Sequence, residues 1–273
     1  MANLTKHYHH HYHFSYITSF KRHFLLLGLL LLIIVIILLF IFHSIAPARQ
    51  LINPSQLSIT DLISASLATM YRLSVAYIIS LILSIPLALV ITSSPKAERF
   101  LLPFFDILQS VPTLAFFPII VLFFIKVNFF DGAAIFVLFM AMLWNIVFSM
   151  IGGLKTIPED INSAAFVFKT KGLTKLWRVT LPAIFPYIVT GSLLAWAQGW
   201  NITIIAEVLH NYIPNGSPSQ DLYGLGSLMV NASANGKNFV FIVTLITMII
   251  LIVAINFFIW QKLLHLAERY KFE

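Results

Sequence analysis

The chain has no cysteine and few charged residues. Cysteine is absent from its 273 residues, and Asp, Glu, Lys and Arg together make up 10% of them, against about 25% in soluble domains. The absence of cysteine excludes disulfides, thiolate metal sites and cysteine nucleophiles. The scarcity of charge, with 59% hydrophobic residues, indicates a chain surrounded by lipid. Because about 20 apolar residues cross a bilayer as one helix, this length allows roughly five to seven crossings.

A nucleotide-binding motif is missing as well. No Gly-x-x-x-x-Gly-Lys-Ser/Thr run occurs in the sequence, so the loop that cradles phosphates in P-loop proteins is absent. We therefore expect that the chain is not an ATP-hydrolysing enzyme and holds no cofactor of its own. An integral membrane enzyme of another kind is the weaker alternative, because no group of His, Asp or Glu suited to catalysis is readable in the apolar segments.

Six apolar segments are long enough to cross a membrane. The first follows Lys21-Arg22-His23; the second begins near a capping residue, either Ser58 or Thr60, and contains Pro86. A cleaved signal peptide is the alternative for the first segment, but its apolar stretch exceeds the roughly 7–15 residues of such peptides. The predicted crossings are 24–43, 61–92, 100–127, 133–150, 184–208 and 239–260.

Lys and Arg are distributed unevenly among the loops. If the N-terminus lies inside, only Arg49, Lys126 and Lys237 fall in outside loops, and Arg72 lies within a crossing. All the other Lys and Arg residues are then inside, which is the distribution that orients membrane proteins. Both termini are predicted to be cytoplasmic, and the formal net charge of +7 needs no nucleic-acid partner to explain it.

The division of the chain follows from these crossings. We predict a cytoplasmic tail at 1–23, a membrane domain at 61–264 after the first crossing, and a cytoplasmic tail at 265–273. The first tail contains alternating histidines and tyrosines, with the histidines at His7, His9, His10, His11 and His13. Histidine-rich tracts can bind metals, but no carboxylate stands beside these, so we expect a polar tail and no metal site.

The second crossing carries a stripe of small residues and one ion. Ala76, Ser80, Ser84 and Ala88 recur every four residues, which lets another transmembrane helix approach closely. Arg72 lies in the same crossing, where a charge normally faces the bundle interior with a partner. Structural pairing is therefore favoured for Arg72 over contact with a transported solute, although both interpretations remain open.

Two further places hold candidates for a transport pathway. The third crossing is interrupted by prolines around Gln109 and Ser110, and a broken helix at membrane depth lies against protein or a water-filled cavity. Four residues in the outer half of the fifth crossing have two possible roles. They line a pathway, or they act as interface anchors and as pairing groups at the helix end. These four are Trp196, Trp200, Asn201 and Glu207.

The longest inside loop, 152–182, predicts two short helices. Thr156 and Glu159 have the spacing of a capping box, and a face of Ile161, Ala164, Ala165 and Phe168 follows. We expect the first helix to end at Gly172 and the second to be capped by Thr174.

Phe166 and Val167 of this loop lie off the apolar face, although they are large and hydrophobic. Two explanations are open: this helix lies on the membrane surface, or it inserts into a groove of a soluble partner.

The same loop resembles a known signature. Ser163-Ala164-Ala165 and Leu181-Pro182 are similar to the Glu-Ala-Ala, Gly and Leu-Pro pattern of binding-protein-dependent ABC importer permeases. Ser163 stands where Glu is usual, and Lys169 where Gly is usual, with Gly172 three residues later.

The resemblance extends over 62–264. Over this range the chain looks like the family branch associated with nitrate, sulfonate, taurine and bicarbonate uptake. The segments that carry this resemblance are Ala65-Ser66-Leu67 with Arg72, Pro86, Gln109-Ser110-Val111-Pro112, Trp196 to Glu207 and Gly224-Leu225-Gly226.

This resemblance implies an all-α permease of six transmembrane helices in a bacterial inner membrane, importing a small anion. It implies separate ATP-binding subunits that bind ATP and magnesium, a second permease chain, identical or different, and an extracytoplasmic solute-binding protein. The residues implied to contact the ATPase are Ser163, Ala164, Ala165, Phe166, Val167, Lys169, Gly172, Leu181 and Pro182.

The alternatives are an ion-gradient-driven transporter, which would need buried acidic or His relays, and an importer of another small organic solute.

Overall fold

In a computed structural model, residues 58–270 are described, and they form a series of helices. The helices are α1 (Ile59–Ile91), α2 (Pro95–Ser110), α3 (Phe117–Lys126), α4 (Phe130–Lys155), α5 (Glu159–Val167), α6 (Gly172–Lys175), α7 (Leu181–Ala183), α8 (Phe185–Ala206), α9 (Leu225–Ala234), α10 (Asn238–Ile255) and α11 (Gln261–Glu268). Short π-helical segments at Leu176–Thr180 and Asn256–Trp260 join α6 to α7 and α10 to α11. The predicted crossing at 24–43 and the tail at 1–23 lie outside the described residues.

Helix α1 begins where the sequence predicts. The hydroxyl of Ser58 accepts the Thr60 N–H at 3.0 Å, and the Asp61 carboxylate accepts the Ser58 N–H at 3.0 Å, which completes a capping box. The helix continues through Pro86 for 33 residues. That is about 50 Å, longer than a hydrocarbon core of about 30 Å.

Helices α1, α4 and α8 form the centre of the bundle. The small-residue stripe of α1 is buried and contacts α4, where the Ser80 hydroxyl donates to the Phe139 carbonyl at 3.1 Å. Between α4 and α8, a Cβ added to Gly191 would lie 2.7 Å from the Ser149 Cβ and 3.1 Å from the Ile146 Cα. Small side chains therefore set the separation of the three central helices, as the sequence predicts for α1.

Four helical stretches of the described chain are long and apolar enough to cross a membrane. They are Ile59–Ile91, Phe130–Lys155, Phe185–Ala206 and Asn238–Glu268. The predicted crossing at 100–127 is instead two helices, α2 and α3, separated by a 3-10 turn at Thr113–Ala115. The predicted interruption is confirmed, but α3 spans only 10 residues, or about 15 Å, so this segment does not cross as one helix.

Both helix caps predicted for the cytoplasmic loop are wrong. The Thr156 hydroxyl does not cap α5; it donates back to the Gly153 carbonyl at 2.9 Å, at the end of α4, and Pro158 precedes α5 without a side-chain cap. Thr174 lies inside α6, which begins at Gly172 rather than after it.

The α4–α8 contact gives a test of the fold. We expect Gly191→Ala to lower the melting temperature of the detergent-solubilised protein by roughly 5 °C, because its Cβ would press on the α4 backbone and overpacking costs about 1–3 kcal/mol. The control is Gly152→Ala, at a position where an added Cβ meets nothing within 4 Å. An equal loss in both variants, measured by thermal unfolding, would contradict this packing.

Candidate functional site

Arg72 lies at a junction of four segments. Its Nε donates to Asp131 Oδ1 at 2.6 Å and its Nη1 to Glu207 Oε1 at 2.8 Å. Its Nη2 donates to the Tyr223 carbonyl at 3.0 Å. The planar fork of a guanidinium suits this arrangement, because its donors point in fixed directions. Arg72 therefore joins α1 to the start of α4, the end of α8 and the segment before α9.

Glu207 receives two further donors, one from α1 and one from the first turn of α9. Its Oε1 accepts the Thr69 hydroxyl at 2.7 Å and its Oε2 accepts the Gly226 N–H at 2.7 Å. The Thr69 hydroxyl accepts the Leu225 N–H at 2.9 Å. The first N–H groups of a helix lack partners within the helix and favour a negative charge. The carboxylate thus satisfies the start of α9.

Two glycines allow the carboxylate to come so close. A Cβ on Gly224 would lie 2.3 Å from Glu207 Oε2, and one on Gly226 would lie 2.8 Å from the Ile204 Cα. The motif Gly224-Leu225-Gly226 therefore holds the α9 backbone directly against the end of α8. We call Thr69, Arg72, Asp131, Glu207 and the bonded backbone groups of 223–226 the Arg72 cluster.

The Arg72 cluster is enclosed by protein. The side chains of Arg72 and Glu207 are 2% and 1% exposed, and that of Asp131 is 15% exposed. Two carboxylates face one guanidinium, and the α9 N–H groups offset the surplus negative charge. A buried ion group is costly unless all its members are paired, and here each charged member has at least one close partner. The cluster can fix helices in place; its cation makes three hydrogen bonds and is buried away from any solute.

The residues predicted for a pathway occupy different environments. Arg72 and Glu207 are in the cluster, and Trp196 and Trp200 are buried on the same side of α8. The Trp196 ring lies 5.5 Å from Tyr77 and 6.1 Å from Trp260. Asn201, in contrast, is exposed on α8. The pathway role of these residues stays a prediction.

Gln109 and Ser110 are exposed at the end of α2. The Gln109 amide donates to Asp106 Oδ1 at 2.8 Å, and the Ser110 hydroxyl donates to the Asp106 carbonyl at 2.8 Å. Asp106 is therefore paired locally, and both candidates remain accessible just before the break in the chain.

The end of α5 explains one departure from the signature. The Thr170 N–H bonds to the Ala165 carbonyl at 3.0 Å and the Lys169 N–H to the Phe166 carbonyl at 3.0 Å, which is a Schellman motif. Its left-handed position is Lys169, with φ of 52°. Glycine is the usual residue there, so Lys169 occupies a backbone conformation that suits the Gly of the signature. The predicted end of this helix at Gly172 is wrong by a few residues.

The loop exposes a group of large apolar side chains. The expected face holds only in part, because Ala165 is buried whereas Phe168 is 78% exposed. Of the other predicted coupling residues, Ser163, Ala164 and Gly172 are exposed, and Leu181 and Pro182 are half-buried. We call the exposed apolar group the loop patch; its members are Phe166, Val167, Phe168, Leu173 and Trp177.

Sequence reasoning missed several partners. Asp131 was not singled out, although it starts a crossing on the side where Glu207 ends one, and a buried Arg72 requires an acid at that level. The pair of His210 and Asp221, with Nδ1 and Oδ1 2.8 Å apart, was missed too. Both lie in the segment between α8 and α9, where no periodicity indicates which side chains meet.

Loss of the Arg72 charge is expected to destabilise the bundle. Arg72→Met leaves two carboxylates without their cation, which costs about 3–5 kcal/mol for a buried pair, and should sharply lower the yield and melting temperature of solubilised protein. The triple variant Arg72→Met, Asp131→Asn, Glu207→Gln should regain at least half of the lost melting temperature. A triple variant as unstable as Arg72→Met would contradict the electrostatic account.

Lys169→Gly is expected to stabilise the end of α5. Glycine removes a left-handed penalty of about 1 kcal/mol, so local opening should become about fivefold rarer. Chymotrypsin cleavage within the loop patch measures this opening and should slow accordingly. Lys171→Gly is the control, because Lys171 has an extended backbone with φ of −136°; cleavage that slows equally there would refute the explanation.

Comparisons with known proteins agree with the resemblance of the loop. Over 162 residues the chain is 35% identical to the nitrate import permease protein NrtB of Leptolyngbya laminosa, which covers 59% of this chain and 56% of that protein. It is 31% identical over 144 residues to the bicarbonate transport system permease protein CmpB of Synechococcus elongatus, covering 53% and 51%. It is 25% identical over 142 residues to the taurine transport system permease protein TauC of Escherichia coli, covering 52% and 50%. The chain spans about half the length of these curated relatives.

A family model matches a larger part of the chain. The match covers residues 80–268 and is described as a binding-protein-dependent transport system inner membrane component. This range includes the loop patch, Asp131, Glu207 and the whole of α8, and it begins after Arg72. Because the match extends over more than half of the sequence, the chain belongs to the family of binding-protein-dependent transport system inner membrane components.

Proposed function

We propose that the chain is the permease subunit of an ABC importer for a small oxoanion, and that separate subunits hydrolyse ATP for it. The observation that carries this proposal is the loop patch. A chain with no P-loop of its own has no such site for ATP hydrolysis, and the loop patch offers an ATP-hydrolysing polypeptide an apolar surface.

The loop patch has the properties of a docking surface. Phe166 and Val167 are 81% and 73% exposed, although large apolar groups are seldom left open together in solvent. The Lys175 ammonium donates to Asn162 Oδ1 at 3.0 Å, which ties α6 to α5. The two short helices therefore form one unit that can enter a groove of a partner and transmit its movement to α4 and α8.

The relatives support the class of solute. Those described above are named for nitrate, bicarbonate and taurine, and each of these solutes carries an oxygen-rich anionic group. A small oxoanion is the chemistry that they share. We further propose six crossings with both termini inside, a second permease chain to complete the pore, a solute-binding protein outside, and ATP with magnesium on the partner ATPase.

The rival with an ion gradient lacks a suitable relay in the described part of the chain. In that part, Asp131, Glu207 and Asp221 have largely enclosed carboxylates, and each accepts hydrogen bonds from a cationic, hydroxyl or N–H group. Such paired groups serve structure better than proton transfer, which requires a group that can change its charge.

The loop patch gives the test of the proposed function. The chain is expressed with its genomic neighbours and purified in mild detergent, and co-purifying subunits are identified by mass spectrometry. We expect an ATP-binding-cassette subunit, and we expect the double variant Phe166→Asp, Val167→Asp to reduce its recovery at least tenfold, because two carboxylates cannot be desolvated in an apolar groove.

The matched control is Phe239→Asp, which changes a residue that is 77% exposed at the start of α10. Its ATPase recovery should equal that of the native chain. Full recovery with the double variant would instead favour a helix that lies on the membrane surface. A chain that purifies alone and accumulates anions in liposomes on an ion gradient, without ATP, would overturn the importer function.

A further inference from the structure

Helix α8 has two unlike faces. Trp196, Trp200 and Glu207 point to the buried side, where the Arg72 cluster holds the end of the helix. The opposite face follows helical spacing and is exposed along its length. We call it the open face; its members are Thr190, Leu194, Ala197 and Asn201, with Gln198 at its edge.

The open face differs from the exposed faces of the neighbouring crossing. The exposed residues of α10 after its first turn are all apolar: Ile242, Leu245, Ile246, Ile249, Ile250 and Val253. Such a face suits lipid. The open face of α8 instead carries the amides of Gln198 and Asn201, roughly 20 and 24 Å from the start of the helix by its rise per residue, between its middle and its outer third. Polar groups at this depth normally face protein or water.

This stretch of α8 has hydrogen-bond donors without acceptors. The amides of Gln198 and Asn201 have no partner among residues 58–270, and the indole N–H groups of Trp196 and Trp200 are buried without one. The two indoles lie on the covered side of α8, so only the two amides can meet a solute at the open face. An amide has N–H donors as well as a carbonyl acceptor, and its N–H groups can bind a ligand made of acceptors, such as an oxoanion.

The open face also leads into a cavity. At the start of α8, Thr190 lines a space of about 470 Å³ together with Gln261, His265 and Glu268 of the α11 end. The amide pair therefore lies on one helix face between the outer third of the membrane and this space at the predicted cytoplasmic end, which polar and apolar side chains line together. No Lys or Arg occurs in α8, and Arg72 is buried and bonded to Asp131, Glu207 and the Tyr223 carbonyl.

We propose that Gln198 and Asn201 form the contact that passes the oxoanion across the membrane, through neutral donors rather than a cation; this assignment rests on the proposed function. A neutral contact has a physical advantage, because a pathway site must bind weakly enough to release its solute. Selection for an anion then arises from the amide N–H groups. Because Arg72 is paired with carboxylates, it gives the pathway no free guanidinium that would bind the oxoanion too tightly to release it.

The first test uses the absence of native cysteine. Leu194→Cys, Ala197→Cys and Asn201→Cys are compared with Ile246→Cys and Ile249→Cys on α10 in the assembled importer, each treated with the anionic reagent sulfonatoethyl methanethiosulfonate. We expect the three α8 positions to react at least tenfold faster than the two α10 positions. Equal rates on both helices would overturn the pathway assignment and leave ATP-dependent uptake, and so the proposed function, unaffected.

The second test addresses the amides. In liposomes with the complete importer, uptake of nitrate, bicarbonate and taurine is measured, and the accumulated solute serves as the probe. Asn201→Asp should raise the concentration for half-maximal uptake at least tenfold, because it replaces a donor by a negative charge, whereas Asn201→Gln should stay within threefold. Asn238→Asp, at the exposed start of α10, carries the same change elsewhere and should have no effect. An unchanged value in Asn201→Asp would overturn the proposal.

Discussion

The fork of Arg72 between Asp131 and Glu207 is the interaction on which the arrangement of the bundle depends. It fixes the start of α4 and the end of α8 to the same turn of α1. Glu207 in turn accepts the Gly226 N–H in the first turn of α9, and the Thr69 hydroxyl accepts the Leu225 N–H. Because these bonds run in different directions, they determine how far each helix is rotated about its own axis as well as how closely the helices lie.

The rotation of α8 has a consequence for the rest of the chain. Once Glu207 faces α1, helical spacing places Trp200 and Trp196 on the same inner side. Asn201 is then necessarily on the outer side, as part of the open face. A single ion group thus decides which residues of α8 are covered and which lie on the open face. The loop patch lies before α8 along the chain, so movement of a partner at the patch would reach the open face through the short helices α6 and α7 and then along α8.

Much of the fold could be predicted from the sequence, because lipid imposes simple rules. The lengths of α1, α4, α8 and α10 follow from runs of apolar residues, and Ser58 has the side chain that caps a helix. The loop was harder. Thr156 has the spacing of a cap, but its hydroxyl bonds to the preceding helix, and sequence spacing does not reveal which of two nearby carbonyl or N–H groups a side chain selects.

The candidate site was predictable only in its individual residues. Arg72 and Glu207 stand out because charge is rare in this chain, and a buried cation needs a partner. Asp131 was overlooked because its position at the start of a crossing resembles that of an ordinary interface residue. The two faces of α8 could not be separated either, since Trp200 and Asn201 are adjacent in sequence and only the packing of the other helices shows which one is covered.

The close approach of Gly224 to Glu207 has a consequence for the evolution of the chain. A side chain cannot be added at Gly224 while the Glu207 carboxylate occupies that space, but a shorter residue at position 207 would free it. Substitutions at these two positions are therefore accessible in one order only, with position 207 changing first. Among related sequences, residues larger than glycine at position 224 should then occur together with residues smaller than glutamate at position 207.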